Sequence, residues 1–268
     1  MNVYISADIE GTCGITDWPE TERSTMDDYA PYQKQMTREV AAACEGANNG
    51  GAKEILLKDA HDWARNVDPN AMPRNVRILR GWTGDPLSMM SGLDTDTFGA
   101  VLFTGYHAWA ACPGNPLSHT MNLGNEYVTL NGVRASEFLI NSYTAGYYKV
   151  PVAFLSGDKD LCTFAKELIP DIVTVPVNQG VGGGVYSIHP GLATDLIRAG
   201  AEEAVRKAAK CQVSLPDHFD TVIRFREHKA AYSKSFYPGA HLEDGKNVCF
   251  STDDWYEMIR FYHFVLSA

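Results

Sequence analysis

The sequence predicts an α/β protein: a three-layer αβα arrangement with a mostly parallel sheet, and a smaller α+β unit at the carboxy end. Three observations predict it. Short β-rich apolar runs alternate with amphipathic helical patterns through the first half of the chain, the order that builds a largely parallel sheet with helices on both faces. The texture changes at a glycine-rich segment, Gly180-Val181-Gly182-Gly183-Gly184, after which the pattern is helix, two strands, helix. The length of 268 residues, with 45% apolar and 21% charged, is ordinary globular usage and enough for one large or two modest domains.

The elements follow in order. Residues 3–7 form a β-rich run ending at Asp8. After a loop with Gly and Pro, Asp27 and Asp28 are placed to cap a helix whose apolar residues Met36, Val40, Ala43, Cys44 and Ala47 recur at helical spacing. Asn48-Asn49-Gly50-Gly51 stops it. Residues 55–57 make a second strand running into Asp59-Ala60-His61, 76–79 a shorter one, and 100–104 another that ends at Gly105-Tyr106-His107. Tyr127 to Leu130, Asn131-Gly132 and Val133 carry the signature of a tight hairpin. A helix from about Ser136 to Tyr148 comes next, then strands at 151–155 and 172–177 flanking a helix at about 163–168. Beyond the glycines, a helix spans about 190–210, strands 221–225 and 248–251, and a closing amphipathic helix 253–266. The expected division is a metal-binding α/β domain over 1–189 and an α+β domain over 190–268.

Charge and composition exclude several functions. A net charge of −10 argues against nucleic acid, whose phosphates require concentrated Lys and Arg. No run of eighteen apolar residues suits a membrane span. The amino terminus lacks the basic and apolar regions of a signal peptide, and the six cysteines fall without CxxC pairs, so reduced thiols and a cytoplasmic location are expected.

The informative feature is where metal-competent side chains fall. Asp8 and Glu10 follow the first strand, His61 the second and His107 a later one. Ligands of open parallel sheets bind in the crevice beyond the carboxyl ends of the strands, so four such side chains at three strand ends are placed to converge. Alternate residues Asp8 and Glu10 point the same way if the chain stays extended. Glu137, opening the helix after the hairpin, is a fifth candidate ligand. Taken singly, each residue equally fits a turn, a cap or a satisfied core histidine, and Glu137 suits a helix amino terminus through the macrodipole.

Several segments together resemble the D-aminopeptidase DppA family, the M55 metallopeptidases: residues 3–11 (VYISADIEG), 58–61 (KDAH), 105–108 (GYHA), 118–121 (SHTM), 136–141 (SEFLIN), 145–148 (AGYY) and 151–158. The resemblance covers roughly residues 1–178 in order and implies a pair of zinc ions (Zn2+). By the same resemblance Asp8 would bridge them, Glu10 and His61 complete one site, and His107 and Glu137 the other. His119 would assist proton transfer or stabilise an oxyanion. The implied substrates are short peptides beginning with a D-residue, such as D-Ala-D-Ala, and the implied assembly is a homo-oligomeric ring, possibly a decamer. A zinc hydrolase of other amides, esters or L-peptides is a rival reading. So is a non-catalytic peptide-binding protein linked to dipeptide uptake.

Residues at the margin keep two readings. Asn141 lies four residues after Glu137 and either orients a ligand or packs. Tyr106 and Trp109 either line the pocket or belong to the core. Cys13 and Cys112 are read as bystanders. Basic residues are frequent near Asn178 in the family, and the glycines that stand here suggest a mobile flap near the cleft.

Overall fold

The computed structural model describes residues 1–266. Its elements are β1 (Asn2–Ala7), α1 (Met26–Asn49), β2 (Ile55–Asp59), β3 (Val76–Leu79), β4 (Phe98–Tyr106), β5 (Asn125–Leu130), β6 (Val133–Arg134), α2 (Glu137–Tyr147), β7 (Val152–Asp158), α3 (Lys159–Leu168), β8 (Val173–Val181), β9 (Gly184–Ser187), α4 (Pro190–Lys207), β10 (Phe219–Phe225), α5 (His228–Lys234), β11 (His241–Leu242), β12 (Asn247–Thr252) and α6 (Trp255–Leu266).

The large sheet has the order β3-β2-β1-β4-β7-β8-β9, parallel except for the edge pair β8–β9. Central strands carry continuous apolar runs because both faces are covered: β2 and β7 are buried along their whole length. The chain moves leftward from β1 through α1 to β2, and rightward from β4 through α2 to β7 and through α3 to β8. Right-handed crossovers then put α1 on one face and α2 and α3 on the other. α4 returns to pack along α1 so closely that a Cβ on Gly46 would stand 2.1 Å from the Arg198 carbonyl oxygen. The order reverses between β1 and β4, and at that switch point a crevice opens beyond the strand ends.

A second sheet, order β11-β12-β10-β5-β6, is antiparallel throughout. The hairpin at 131–132 forms as its Asn-Gly pair demands, with φ of 49° at Asn131 and 79° at Gly132. This sheet draws β5 and β6 from before residue 189, while α4 packs on the large sheet and α1. The two sheets therefore interleave along the chain. The reason is long-range: β10 finds its partner in β5, with Thr221 opposite Leu130, and no local pattern encodes that pairing.

Two expectations change, and three short elements were not foreseen. α1 begins at Met26, so Asp27 and Asp28 lie in its first turn, where they favour the helix dipole, and the Thr25 hydroxyl at the cap donates to the Pro19 and Glu22 carbonyls and not to the helix end. The glycine-rich segment is the turn of the β8–β9 hairpin and not a loose flap; the Gly180 N–H donates to the Gly114 carbonyl at 2.9 Å. The short elements α5, β9 and β11 carry too little periodicity to be found from sequence. No helix of the described residues is long and apolar enough to cross a membrane.

Candidate metal centre

The crevice gathers the side chains that sequence proposed. Asp8 and Glu10 leave β1, His61 follows β2, His107 follows β4, and Glu137 opens α2. Asp8, Glu10 and His107 are 1–3% exposed, Glu137 3% and His61 7%, so the cluster is closed to bulk water on most sides. Asp8 directs its two carboxylate oxygens at two different imidazoles: Oδ1 lies 3.3 Å from Nδ1 of His61 and Oδ2 3.6 Å from Nε2 of His107. Each imidazole has a second carboxylate of its own. His61 Nδ1 is 3.2 Å from Glu10 Oε2, and His107 Nε2 is 3.4 Å from Glu137 Oε2. Two donor sets result, Asp8/Glu10/His61 and Asp8/His107/Glu137, sharing Asp8. A third set, Glu10/His107/His119, lies between them.

Backbone carbonyls fix which ring nitrogen is free. His61 Nε2 is 3.0 Å from Thr21 O, His107 Nδ1 2.9 Å from Ala108 O, and His119 Nδ1 2.9 Å from Leu117 O. Each carbonyl takes the ring N–H, so the other nitrogen presents its lone pair to the cluster, the arrangement common to metal-ligating histidines.

The local sequence explains the placement. Ser136 caps α2 by accepting from the Leu139 N–H at 3.1 Å, which sets Glu137 at the first helical position, and Glu137 Oε1 accepts the Met121 N–H at 2.7 Å. Asp59 organises the His61 loop, accepting the N–H groups of Asn66 at 2.5 Å and Val67 at 2.8 Å. Asp158 caps α3 and accepts the Ala108 N–H at 2.6 Å, steadying the turn of His107. Asn115 donates to the Glu10 carbonyl at 2.9 Å. Sequence reasoning assigned no role to Asn66, Thr21 or Asn115, since their hydrogen bonds to the site, Asn66 to Asp59 and the His61 carbonyl, Thr21 O to His61 and Asn115 to the Glu10 carbonyl, join loop residues that share no sequence period.

Electrostatics report a site built for positive charge. Burial, then Glu10, pushes the Asp8 carboxyl well above its usual range. Burial acts the same way on Glu10 and Glu137, but His61 outweighs it at the first and His107 at the second, leaving Glu10 well below the carboxylate range and Glu137 at about 2. Burial opposes charge on His61 and His107, yet Glu10 and Glu137 respectively hold both pKa values well above that of free imidazole. Burial and the neighbouring His107 lower His119. Two polar atoms buried here, Glu10 Oε2 and His107 Nε2, have no hydrogen-bond partner, which a bound cation would supply. Carboxylate oxygen and neutral imidazole suit zinc.

The centre opens into a cleft of about 780 Å³. Trp18, Trp63, Trp82, Arg23 and Asp85 contribute to its walls. His119 faces the centre with Nε2 3.6 Å from Glu137 Oε1 and 4.0 Å from Glu10 Oε1, and Trp18 meets its ring edge-on at 5.4 Å.

The marginal residues resolve. Asn141 donates to the Tyr106 hydroxyl at 3.0 Å and to the Met89 sulfur at 3.5 Å. Tyr106 is fully buried beneath the site, hydrogen-bonded to Ser6 at 2.7 Å, and Trp109 packs edge-on to Phe164. Cys13 donates to the Ile188 carbonyl, and neither it nor Cys112 joins a donor set.

The family profile described as "D-aminopeptidase", peptidase family M55, matches residues 1–264. The chain belongs to the M55 peptidases. It is a metallopeptidase, a hydrolase of peptide bonds, of a zinc-dependent family. The D-aminopeptidase of Bacillus subtilis (strain 168) is 32% identical over 260 residues, covering 96% of this chain and 93% of that protein. A solved structure described as the Zn-dependent D-aminopeptidase DppA from Bacillus subtilis, a self-compartmentalizing protease, superposes with a TM-score of 0.91 at 29% identity, covering 99% of this chain and 96% of the other. This M55 peptidase thus shares its fold with that enzyme from end to end.

Proposed function

We propose that this M55 peptidase removes the amino-terminal D-residue from short peptides over two zinc ions. Asp8 would be shared by the two ions, Glu10 and His61 would hold one with it, and His107 and Glu137 the other. The observation that carries this reading is the Asp8 carboxylate, whose two oxygens face His61 and His107, each paired with a further carboxylate.

Zinc bound there supplies Lewis acidity to the scissile carbonyl and lowers the pKa of water. The chain does the rest. Three carboxylates and two neutral imidazoles balance two dications to within one charge, so the centre binds its ions without a further counter-ion from the protein. His119 stands beside the donor sets with Nδ1 committed to Leu117 O, leaving Nε2 to hold a proton for the leaving amine or to donate to the developing oxyanion. The cleft walls keep bulk water from the reacting carbonyl and orient the peptide. The relative described as a self-compartmentalizing protease supports assembly of this chain into a homo-oligomer; a ring of decameric size and a cytoplasmic location complete the proposal.

The test is hydrolysis of D-Ala and L-Ala amides and dipeptides by metal-analysed protein beside Asp8→Ala. Two metals per chain, D-selective turnover and an inactive variant support the reading. Bound metal without turnover of either isomer overturns the substrate assignment.

A further inference from the structure

Beside the metal centre, the cleft wall carries a construction that neither metal binding nor proton transfer uses. Lys58, at the end of β2, is fully buried. Its ammonium donates to the carbonyls of Asp59 and Gly81, each at 2.8 Å, and sits 4.3 Å above the ring of Trp82. A buried lysine is costly unless every donor is used, and here two carbonyls and one aromatic face use them.

Trp82 is 46% exposed yet doubly held. Its indole Nε1 donates to the Asp62 carbonyl at 2.7 Å, and the neighbouring Gly81 N–H donates to the Ala64 carbonyl at 2.7 Å. The 81–82 loop is thereby clipped to the His61 loop. Between those two clips stands Trp63, 56% exposed, flanked by Asp62 and Ala64 with φ of 43° and 51°. Non-glycine residues in that region cost free energy and persist where the surroundings impose them. Both indoles line the cleft that leads to the metal centre. A large aromatic surface fixed by a hydrogen bond and left facing a cavity, as that of Trp82 is, forms a platform with little ordering cost on binding.

We propose that Trp82, positioned by Lys58 and accompanied by Trp63, is the specificity platform of the cleft and selects short peptides carrying a bulky apolar or aromatic side chain. The ammonium of Lys58 already occupies the ring's negative quadrupole on one side, so the open indole surface is a poor site for the peptide's own ammonium and a good one for neutral apolar surface. Trp82 acts by contact with substrate; Lys58 is a positioning residue. The inference rests on the peptidase reading for its ligand class, and binding separates the two.

The experiment is calorimetric binding of two hydrolysis-resistant reduced-amide analogues, D-Phe-ψ(CH2NH)-D-Ala and D-Ala-ψ(CH2NH)-D-Ala, to the metal-loaded full chain. The expected result is roughly tenfold tighter binding of the Phe analogue by the wild type, the scale of one aromatic side chain on an apolar surface. Trp82→Ala collapses that ratio to about twofold or less, Trp82→Phe keeps most of it, and Lys58→Met lowers it with metal content and Tm retained. In turnover the change in selectivity falls on KM and not on kcat. Equal affinity of the wild type for both analogues, or a ratio unchanged in Trp82→Ala, overturns the proposal. A preserved binding preference with no turnover of any peptide overturns the peptidase reading and leaves the platform standing.

Discussion

The rings of His107 and His119 are stacked, with centroids 4.3 Å apart and planes 14° from parallel. One belongs to the end of β4 and the other to the loop twelve positions on. The stack aligns His119, the proposed proton-handling group, against His107, a proposed ligand, without giving His119 a place in either Asp8-containing donor set.

From that geometry, His119→Ala keeps its metal complement and loses turnover. The expected fall in kcat is 10²–10⁴-fold with KM changed little, the range for removal of a general acid–base group. Metal analysis beside steady-state kinetics checks it. A loss of metal equal to that of Asp8→Ala would make His119 a ligand.

Asp8→Ala removes the one carboxylate shared by both donor sets, so both metals are expected to leave and activity to fall by more than about 10³-fold. Chelation of the wild type also lowers Tm, by about 5 °C or more, because buried carboxylates lose their cations and ligand binding no longer favours the native state. Differential scanning calorimetry with and without chelator measures this. Metal-independent Tm would contradict a resident dinuclear centre.

Glu39 supplies a pH-dependent term remote from catalysis. It is 1% exposed on α1, accepts the Cys13 N–H at 3.0 Å, and leaves Oε2 without a partner. Burial raises its pKa from 4.5 to about 7. A carboxyl whose folded pKa is raised binds more protons in the native state. Its contribution is therefore full below pH 4.5 and is lost as pH rises through 7. Glu39→Gln removes the titration, so its stability relative to wild type grows between pH 5 and pH 8, by at most about 3 kcal/mol. Urea unfolding at the two pH values checks the sign; a difference independent of pH refutes the assignment.

Gly105 lies where β4 meets β1, at φ of +68°, and a Cβ there would stand 2.1 Å from the Asp8 carbonyl oxygen. Gly105→Ala is expected to cost on the order of 3 kcal/mol and to reduce metal content, since the strand ends that aim Asp8 and His107 must separate. Unfolding and metal analysis of the same preparation test both parts. Full metal with unchanged stability would show that the strand ends accommodate the methyl.

What the sequence determined by itself was local or periodic. The apolar runs at β1, β2 and β4 mark their own strands, Asn131-Gly132 specifies its turn, and Ser136 before Glu137 announces the start of α2, because each signal acts over a few residues. Placing Asp8, Glu10, His61 and His107 after strand ends followed from the same patterns, and seven segments in family order named the chemistry. Tertiary structure alone decided the rest. It brought the hairpin β5–β6 to β10, more than 80 positions away, and laid α4 along α1. It also turned the glycine-rich segment into an edge hairpin seated on Gly114, and set Lys58 beneath Trp82. The physical reason is common to all four: these contacts join surfaces with no sequence period in common, and they are fixed only when burial and hydrogen-bond satisfaction are settled for the whole chain at once.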